Sequence, residues 1–313
     1  MKVFAPGKLV LTGAYAVLGP RGAPAIVMAT NRGAYADDAR VSPTPTAEVR
    51  AALGDEVEAP HVDASSLFLG ARKLGLGASA AILVASLAAR EGKRGADLAD
   101  EKVRGVLFER ARAAHAAAQS GGSGVDVAAS VYGGVLEYVP GVAKRRSLPA
   151  ATLIHVFACG TSARTAELRG QVDRFAALSP VSHRTCIDEL EAIAHEAASA
   201  VKAGSHERLV VAIRRASRAL FRLGVAAAAP IVPEGFDVLE DVAAAENAAF
   251  CVSGAGGGDV ATYVGSKPPS PAFVERARAL GLFEIDVALD EKGVRAVTQS
   301  PTFVEPATAT SST

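Results

Sequence analysis

Apolar and polar positions alternate along the chain in blocks that predict a mixed fold. Residues 2–11 are aliphatic and β-branched apart from a Pro6-Gly7 pair, which predicts an interrupted strand, and residues 25–29 predict a second strand of the same sheet. Residues 41–60 hold three prolines and scattered acids without a sustained period, the signature of a mobile loop with short edge strands. Two helices follow. Residues 79–91 are dense in strong helix formers and stop before Gly92, and residues 100–119 set Val103, Leu107, Ala111 and Ala114 on one face. Residues 131–139 return to strand character, and Pro140-Gly141 followed by Lys144, Arg145 and Arg146 reads as a polar crossover, with a domain boundary near Leu148. In the second half, residues 152–159, 249–252, 259–264 and 283–289 read as strands, and residues 180–203 and 207–223 as long helices. Residues 298–313, rich in Ser, Thr, Pro and Ala, read as a disordered tail, and no internal repeat is apparent. The expected organisation is two domains, 1–148 and 149–297, followed by that tail.

Composition narrows the function classes. With 313 residues, half of them hydrophobic, the chain can bury a substantial core. Lys plus Arg equals Asp plus Glu at 33 each, so no global field attracts nucleic acid or an anionic membrane, and any anion site must be local. Cys159, Cys186 and Cys251 lie far apart without metal-ligand spacing, which reads as inert core thiols in a reducing compartment. Pro6, Gly7 and Lys8 interrupt the first apolar run, so it does not read as a secretory signal. The longest apolar stretch, residues 78–89, is far short of the roughly 20 residues a membrane span needs. A soluble cytoplasmic protein is the expectation.

The candidate chemistry lies in glycine-rich segments. Gly75-Leu76-Gly77-Ala78-Ser79-Ala80 runs straight into a predicted helix and would aim backbone N–H groups, with the helix dipole, at a phosphate. Ser79 adds a hydroxyl able to ligate Mg²⁺ or a phosphate oxygen, and Arg72 and Lys73 lie just upstream. A loop-to-helix turn with a serine cap is the bland alternative. The string also matches a loosened dinucleotide pattern, but the small, basic residues 70–73 replace the hydrophobic strand such a site requires; no Gly-Lys-Ser or Gly-Lys-Thr marks a P-loop. Residues 254–259 join two predicted strands. Gly256, Gly257 and Gly258 before Asp259 exceed what a hairpin needs and suit backbone lying against a phosphate or substrate. In residues 121–130, Ser123 and Gly124 precede Asp126, a position usually filled by a turn or cap residue. His155 reads as a satisfied strand residue, and His61, His183, His195 and His206 as surface residues, with no catalytic triad or zinc cluster among them.

The order and spacing of residues 5–19, 75–81 and 253–259 resemble the galactokinase, homoserine kinase, mevalonate kinase and phosphomevalonate kinase (GHMP kinase) superfamily. Within it, PGKLVLTGAYAVL, the pair Ala114-His115 before GGSGVDVAASVYGG, GTSARTAEL and IRRASRALFRL resemble the phosphomevalonate kinase branch. The resemblance implies an α+β, two-domain GHMP-kinase fold: an N-terminal ribosomal-protein-S5-like domain and a C-terminal ferredoxin-like α/β sandwich, with the active site between them. It implies an ATP-dependent small-molecule kinase using Mg²⁺, a monomer or homodimer, with neither nucleic acid nor membrane as partner. ATP would lie on residues 75–80, with Ser79 near the metal. Lys8 and Asp126 would be catalytic, and Tyr15, Ser123, Gly124, Gly256, Gly257, Gly258 and Asp259 would line the substrate. The implied reaction converts 5-phosphomevalonate to 5-diphosphomevalonate in the mevalonate route to isoprenoids; mevalonate kinase is the nearest rival, and a non-catalytic ATP or metabolite sensor is the alternative of another class. Three positions depart from the commoner pattern: Ala14 stands where a Glu is usual, Ala78 replaces the first of two serines, and His115 stands where many relatives have a metal-ligating Glu.

A phosphorylated, carboxylated acceptor together with ATP demands several cations. Residues 207–223 place Arg208, Arg215, Arg218 and Arg222 on one helix face, ordinarily a solvated one. Arg218, with Arg215, is the expected phosphate partner, because guanidinium binds phosphate bidentately.

Overall fold

A computed structural model of the chain describes residues 1–54, 58–119, 121–160 and 165–298. The first half is β1 (Lys2–Thr12), β2 (Ala25–Val41), α1 (Ala47–Leu53), β3 (Pro60–Asp63), β4 (Phe68–Leu69), β5 (Arg72–Lys73), α2 (Ala78–Lys93), α3 (Glu101–Ala118), α4 (Val125–Tyr132), β6 (Val135–Val139) and β7 (Val142–Arg146). The second half is β8 (Leu153–Ala158), α5 (Thr165–Leu178), α6 (Pro180–Lys202), α7 (His206–Ala227), α8 (Phe236–Ala245), β9 (Ala249–Val252), β10 (Val260–Gly265), α9 (Pro271–Ala279), β11 (Phe283–Ile285) and β12 (Arg295–Val297).

Two larger sheets organise most of these elements, and β4 and β5 form a separate two-stranded ladder. The larger runs β12-β1-β2-β6-β7, antiparallel throughout, and the long β2 also pairs with β3. The smaller runs β11-β8-β10-β9, also antiparallel. The chain passes from the first sheet to the second between Arg146 and Leu153, and β12 returns to pair with β1. Helix α2 packs on β1 and β2, with α3 and α4 against it. Its alanines explain its place: Ala80, Ala81, Ala85, Ala88 and Ala89 are buried, and small side chains let a strong helix former approach the sheet closely. In the second half, Phe157, Phe236, Phe250, Phe273 and Tyr263 form a chain of tilted and edge-on aromatic contacts.

Several expectations need correction. Residues 47–53 form a helix, capped by the Thr46 side chain and anchored by buried Val49, where an irregular loop was expected. Residues 131–132 end α4, so the following strand starts only at Val135. The basic residues 144–146 belong to β7, an edge strand paired with β6, and are no crossover. The expected strand at 283–289 leaves the ladder after Ile285. Helices α4, α5, α8 and α9 were not anticipated. The expected tail, apart from Thr298, lies outside the described residues, as do residues 161–164 of the GTSARTAEL segment. Cys159 and Cys251 are free and buried, and burial pushes both thiols up to about 12. No helix among the described residues is long and apolar enough to cross a membrane.

Candidate functional site

The glycine segments, distant in sequence, converge around Lys8. A register shift between Pro6 and Gly7 breaks the β1–β2 ladder immediately before it. The Lys8 side chain is buried; Nζ donates to the Gly75 carbonyl oxygen at 3.0 Å and lies 3.9 Å from Asp126 Oδ1. Its backbone N–H donates to the Leu76 carbonyl at 2.9 Å, so the loop is fastened to β1 at both ends of the lysine.

Two helices begin at this point, each from a left-handed glycine. Gly77 is the N-cap of α2 with φ 79°, and Gly124 the N-cap of α4 with φ 81°; neither helix has a side-chain cap. The first backbone bond inside α2 is donated by Ala81, which leaves the N–H groups of Ala78, Ser79 and Ala80 as the orphan donors of its first turn. Glycine is required for close approach at two places. A Cβ on Gly77 would stand 2.9 Å from Lys8 Cγ, and one on Gly75 would stand 2.3 Å from Asp259 Cβ.

The third glycine loop joins β9 to β10 and is pinned from the first half. Val10 N–H donates to Ser253 Oγ at 3.0 Å, and the Tyr15 hydroxyl donates to the Ala255 carbonyl at 2.9 Å. Gly257 N–H is spent on the Ile231 carbonyl at 2.8 Å. Tyr15 holds a positive φ of 61°, a conformation costing a non-glycine residue about 1–3 kcal/mol. Burial pushes its phenol far above the usual tyrosine range, opposed by Arg169, so it remains a hydrogen-bond donor.

Two adjoining pockets meet at Lys8 and Asp126. One, of about 150 Å³, is lined by Ala14, Tyr15, Ser123, Gly124, Arg169 and Gly254, among others. The second, of about 340 Å³, is lined by Lys73, Gly75, Gly77, Ala78, Ser79, Gly256 and Asp259. Lys8, His115, Gln119, Asp126, Thr165 and Ala255 line both. An anion in the second pocket would face the start of α2; a molecule in the first would face Tyr15, Arg169 and the start of α4.

Of the residues singled out in the sequence, Lys8, Tyr15, Gly75, Gly77, Ala78, Ser79, Ser123, Gly124, Asp126, Gly256 and Asp259 line these pockets. Leu76 and Ala80 are buried beneath them. Gly257 and Gly258 line neither. Arg218 is not brought to the cleft: it lies exposed on α7, beside Arg214 and Glu240, and Arg215 is paired with Glu196. The helix turns its apolar face inward, which carries the arginines outward.

Three site residues were missed. Arg169 on α5 lines the first pocket and reaches towards Gly121, where an added Cβ would lie 3.6 Å from its Nη2. The spacing of Leu168 and Val172, both buried, could have revealed α5, but not where Arg169 points. Glu48 of α1 accepts from Ser79 Oγ, and Gln119 Nε2 donates to Glu48 Oε1 at 2.9 Å and to Ser79 Oγ at 3.1 Å. Burial alone would raise the Glu48 carboxyl, but these bonds, with others from Thr46 and its own backbone, bring it down to about 2. No sequence pattern links residues 48, 79 and 119.

Among the described residues, no three His, Cys, Asp or Glu side chains gather into a ready-made metal cage. The oxygens that are present, Ser79 Oγ and the Asp126 carboxylate on the second pocket, fit a hard cation that arrives largely coordinated by phosphates and water, as Mg²⁺ does.

No family model matches the chain. Phosphomevalonate kinase of Streptomyces sp. (strain CL190) is 29% identical over 330 aligned positions, covering 82% of this chain and 87% of that protein. Among solved structures, the Lin0012 protein of Listeria innocua superimposes with a TM-score of 0.80 at 22% identity, covering 94% of this chain and 98% of the other. Streptococcus pneumoniae phosphomevalonate kinase, solved with phosphomevalonate and AMPPNP, gives 0.76 at 17% identity, covering 92% and 99%. The same fold extends to mevalonate kinase, homoserine kinase and galactokinase structures. The chain shares the fold of these GHMP kinases, and in sequence it resembles phosphomevalonate kinase.

Proposed function

We propose that this chain is an ATP-dependent phosphotransferase whose acceptor is 5-phosphomevalonate. The observation that carries the reading is the meeting of two pockets at one buried lysine and one aspartate, the arrangement a donor and an acceptor need for direct transfer. The nucleotide phosphates would occupy the pocket at the start of α2. The acceptor would occupy the pocket beside Tyr15 and Arg169. Support for this acceptor comes from the Streptomyces relative and the Streptococcus structure with phosphomevalonate and a nucleotide analogue, and from the cations facing the pocket, Lys8 and Arg169.

In the reaction, an oxygen of the acceptor phosphate attacks the γ-phosphorus. A new O–P bond forms while the bond to the β,γ-bridging oxygen breaks, and ADP leaves with that electron pair. The transition state is loose, so positioning and charge neutralisation outweigh base strength. A phosphate acceptor is already ionised near neutral pH and needs little deprotonation. Asp126 therefore acts mainly by holding Lys8 and the acceptor in place, and Lys8 neutralises charge on the transferred group. Mg²⁺, held by Ser79 and Asp126, would neutralise phosphate charge.

The test is ADP release by the purified protein with Mg·ATP and phosphomevalonate, mevalonate or diphosphomevalonate, with product masses checked and Asp126→Asn as control. Turnover with phosphomevalonate, yielding diphosphomevalonate, is the expected result. Preference for mevalonate would replace the acceptor, and ATP binding without turnover on any of them would refute the assignment.

A further inference from the structure

Ser79 stands at the start of α2 on the nucleotide side of the cleft, and its hydroxyl is not free to rotate. A serine hydroxyl has one hydrogen and two acceptor lone pairs, whereas an ionised carboxylate can only accept. The hydrogen of Ser79 is therefore committed to Glu48 Oε1. One lone pair is committed to Gln119 Nε2, which donates at 3.1 Å. The same amide donates to Glu48 Oε1 at 2.9 Å, so all three side chains lock one another. One lone pair of Ser79 Oγ is left over. Glu48 and Ser79 belong to α1 and α2 and Gln119 is the C-cap of α3, so the packing of those three helices sets the hydroxyl's direction.

We infer that Glu48 is a positioning residue for the metal–nucleotide site: through its bond to Ser79 and the support of Gln119, it presents a Ser79 lone pair, and no proton, to a divalent cation carried by ATP. The inference rests on the nucleotide-site reading above. The chemistry favours it on two counts. A hydroxyl whose proton is already given away is a better ligand for a hard cation than one free to turn its hydrogen outward, and the fixed negative charge behind it makes the oxygen more electron-rich. A competing account makes Glu48 a bolt that only fastens α1 to α2 and α3. The two differ in what happens when charge is removed but shape is kept.

The experiment measures binding rather than turnover. Mn²⁺ affinity is read by electron paramagnetic resonance in the presence of AMPPNP, for wild type, Glu48→Gln, Ser79→Ala and the double variant, with thermal melts of each. Glu48→Gln keeps an oxygen that can accept from Ser79 but loses the charge. It is expected to weaken nucleotide-dependent Mn²⁺ binding about tenfold, the lower end of what outer-shell partners of metal ligands contribute. Because Glu48 acts through Ser79, it should add nothing to Ser79→Ala in the double variant. Equal Mn²⁺ affinity in wild type and Glu48→Gln overturns the inference, and so does an undiminished Glu48→Gln effect when Ser79 is already alanine. If wild type shows no nucleotide-dependent Mn²⁺ binding at all, the nucleotide-site reading falls and takes this inference with it.

Discussion

Helix α7 and the cleft both gather basic side chains, yet they differ in where the positive charge is spent. On α7, Arg214 donates to the Ala248 and Ala244 carbonyls, Arg215 pairs with Glu196, and Arg222 pairs with Glu189 at 2.5 Å. The acidic partners of Arg215 and Arg222 sit on the neighbouring α6, so these arginines tie one helix to the next. In the cleft, Lys8 donates to the Gly75 carbonyl and stands 3.9 Å from its nearest carboxylate, Asp126, and Arg169 makes no hydrogen bond or ion pair among the described residues although it lines the pocket. A run of arginines at helical spacing thus marks a fastened surface, while cations that face a cavity without a close carboxylate partner mark a place for an anion. The sequence shows the first pattern loudly and the second hardly at all.

Lys8→Met tests the cleft side most severely. It keeps the length and packing of the buried side chain while removing the charge beside Asp126. The expected loss is at least about 100-fold in kcat, comparable to removing one preorganised electrostatic group, with the folded state retained in a circular-dichroism melt. Unaltered turnover would remove Lys8 from the mechanism and collapse the distinction between cleft and surface cations.

Arg169→Ala should act next most strongly, and on a different constant. A charge-assisted hydrogen bond contributes about 1.5–3 kcal/mol, so KM for the phosphorylated acceptor should rise about tenfold or more while KM for ATP changes little. Steady-state kinetics varying each substrate in turn would show the split. An equal rise for both substrates would mean that Arg169 shapes the cleft as a whole and does not read the acceptor.

What could be read in advance divides along a related line. The glycine segments were legible because the backbone's own needs are written in them: Gly77 and Gly75 have no room for a side chain, and the pattern survives without knowledge of the partner. Helix α2 was legible from its density of strong helix formers, and α3, α6 and α7 because each turns a continuous apolar face to one layer. Helix α1 was hidden by Pro43 and Pro45 just upstream and by its seven-residue length; the Thr46 cap and one buried valine hold it against α2 and α3. Strand β7 was misread because both faces of an edge strand can be polar, and its residues are exposed or half-buried throughout. Arg169, Glu48 and Gln119 escaped for a stronger reason. Their significance lies in what they touch far along the chain, from Glu48 to Ser79 across 31 residues to Glu48 and Gln119 across 71, and no local spacing encodes that.

Arg218→Ala probes the other side of the comparison. Arg218 is exposed on α7 and lines neither pocket, so both KM values should remain within about twofold of wild type and stability within about 0.5 kcal/mol. A KM for phosphomevalonate raised as far as in Arg169→Ala would show that α7 approaches the substrate in a way the structure does not display, and would restore Arg218 as a phosphate partner.

The smallest effect is expected at Glu246, a carboxylate on the far side of the second sheet whose bonding is complete. It accepts from the Ser270 hydroxyl at 2.5 Å, from the Ser270 N–H at 3.2 Å and from the Tyr263 hydroxyl at 2.7 Å, joining the end of α8 to β10 and the cap of α9. Burial alone would raise its carboxyl, but these three donors together hold it below the usual glutamate range. A carboxyl whose folded pKa lies below its unfolded one contributes stability that is fully present above the unfolded value, about 4.3, and is lost as pH falls through the folded value. Glu246→Gln should therefore lower the urea midpoint slightly at neutral pH, and the gap from wild type should narrow as pH is brought down from about 5, while both KM values at neutral pH stay unchanged. A gap that stays constant as pH falls would mean that the carboxylate's charge contributes nothing there, and a shift in KM would mean that the second sheet transmits its outer network to the cleft.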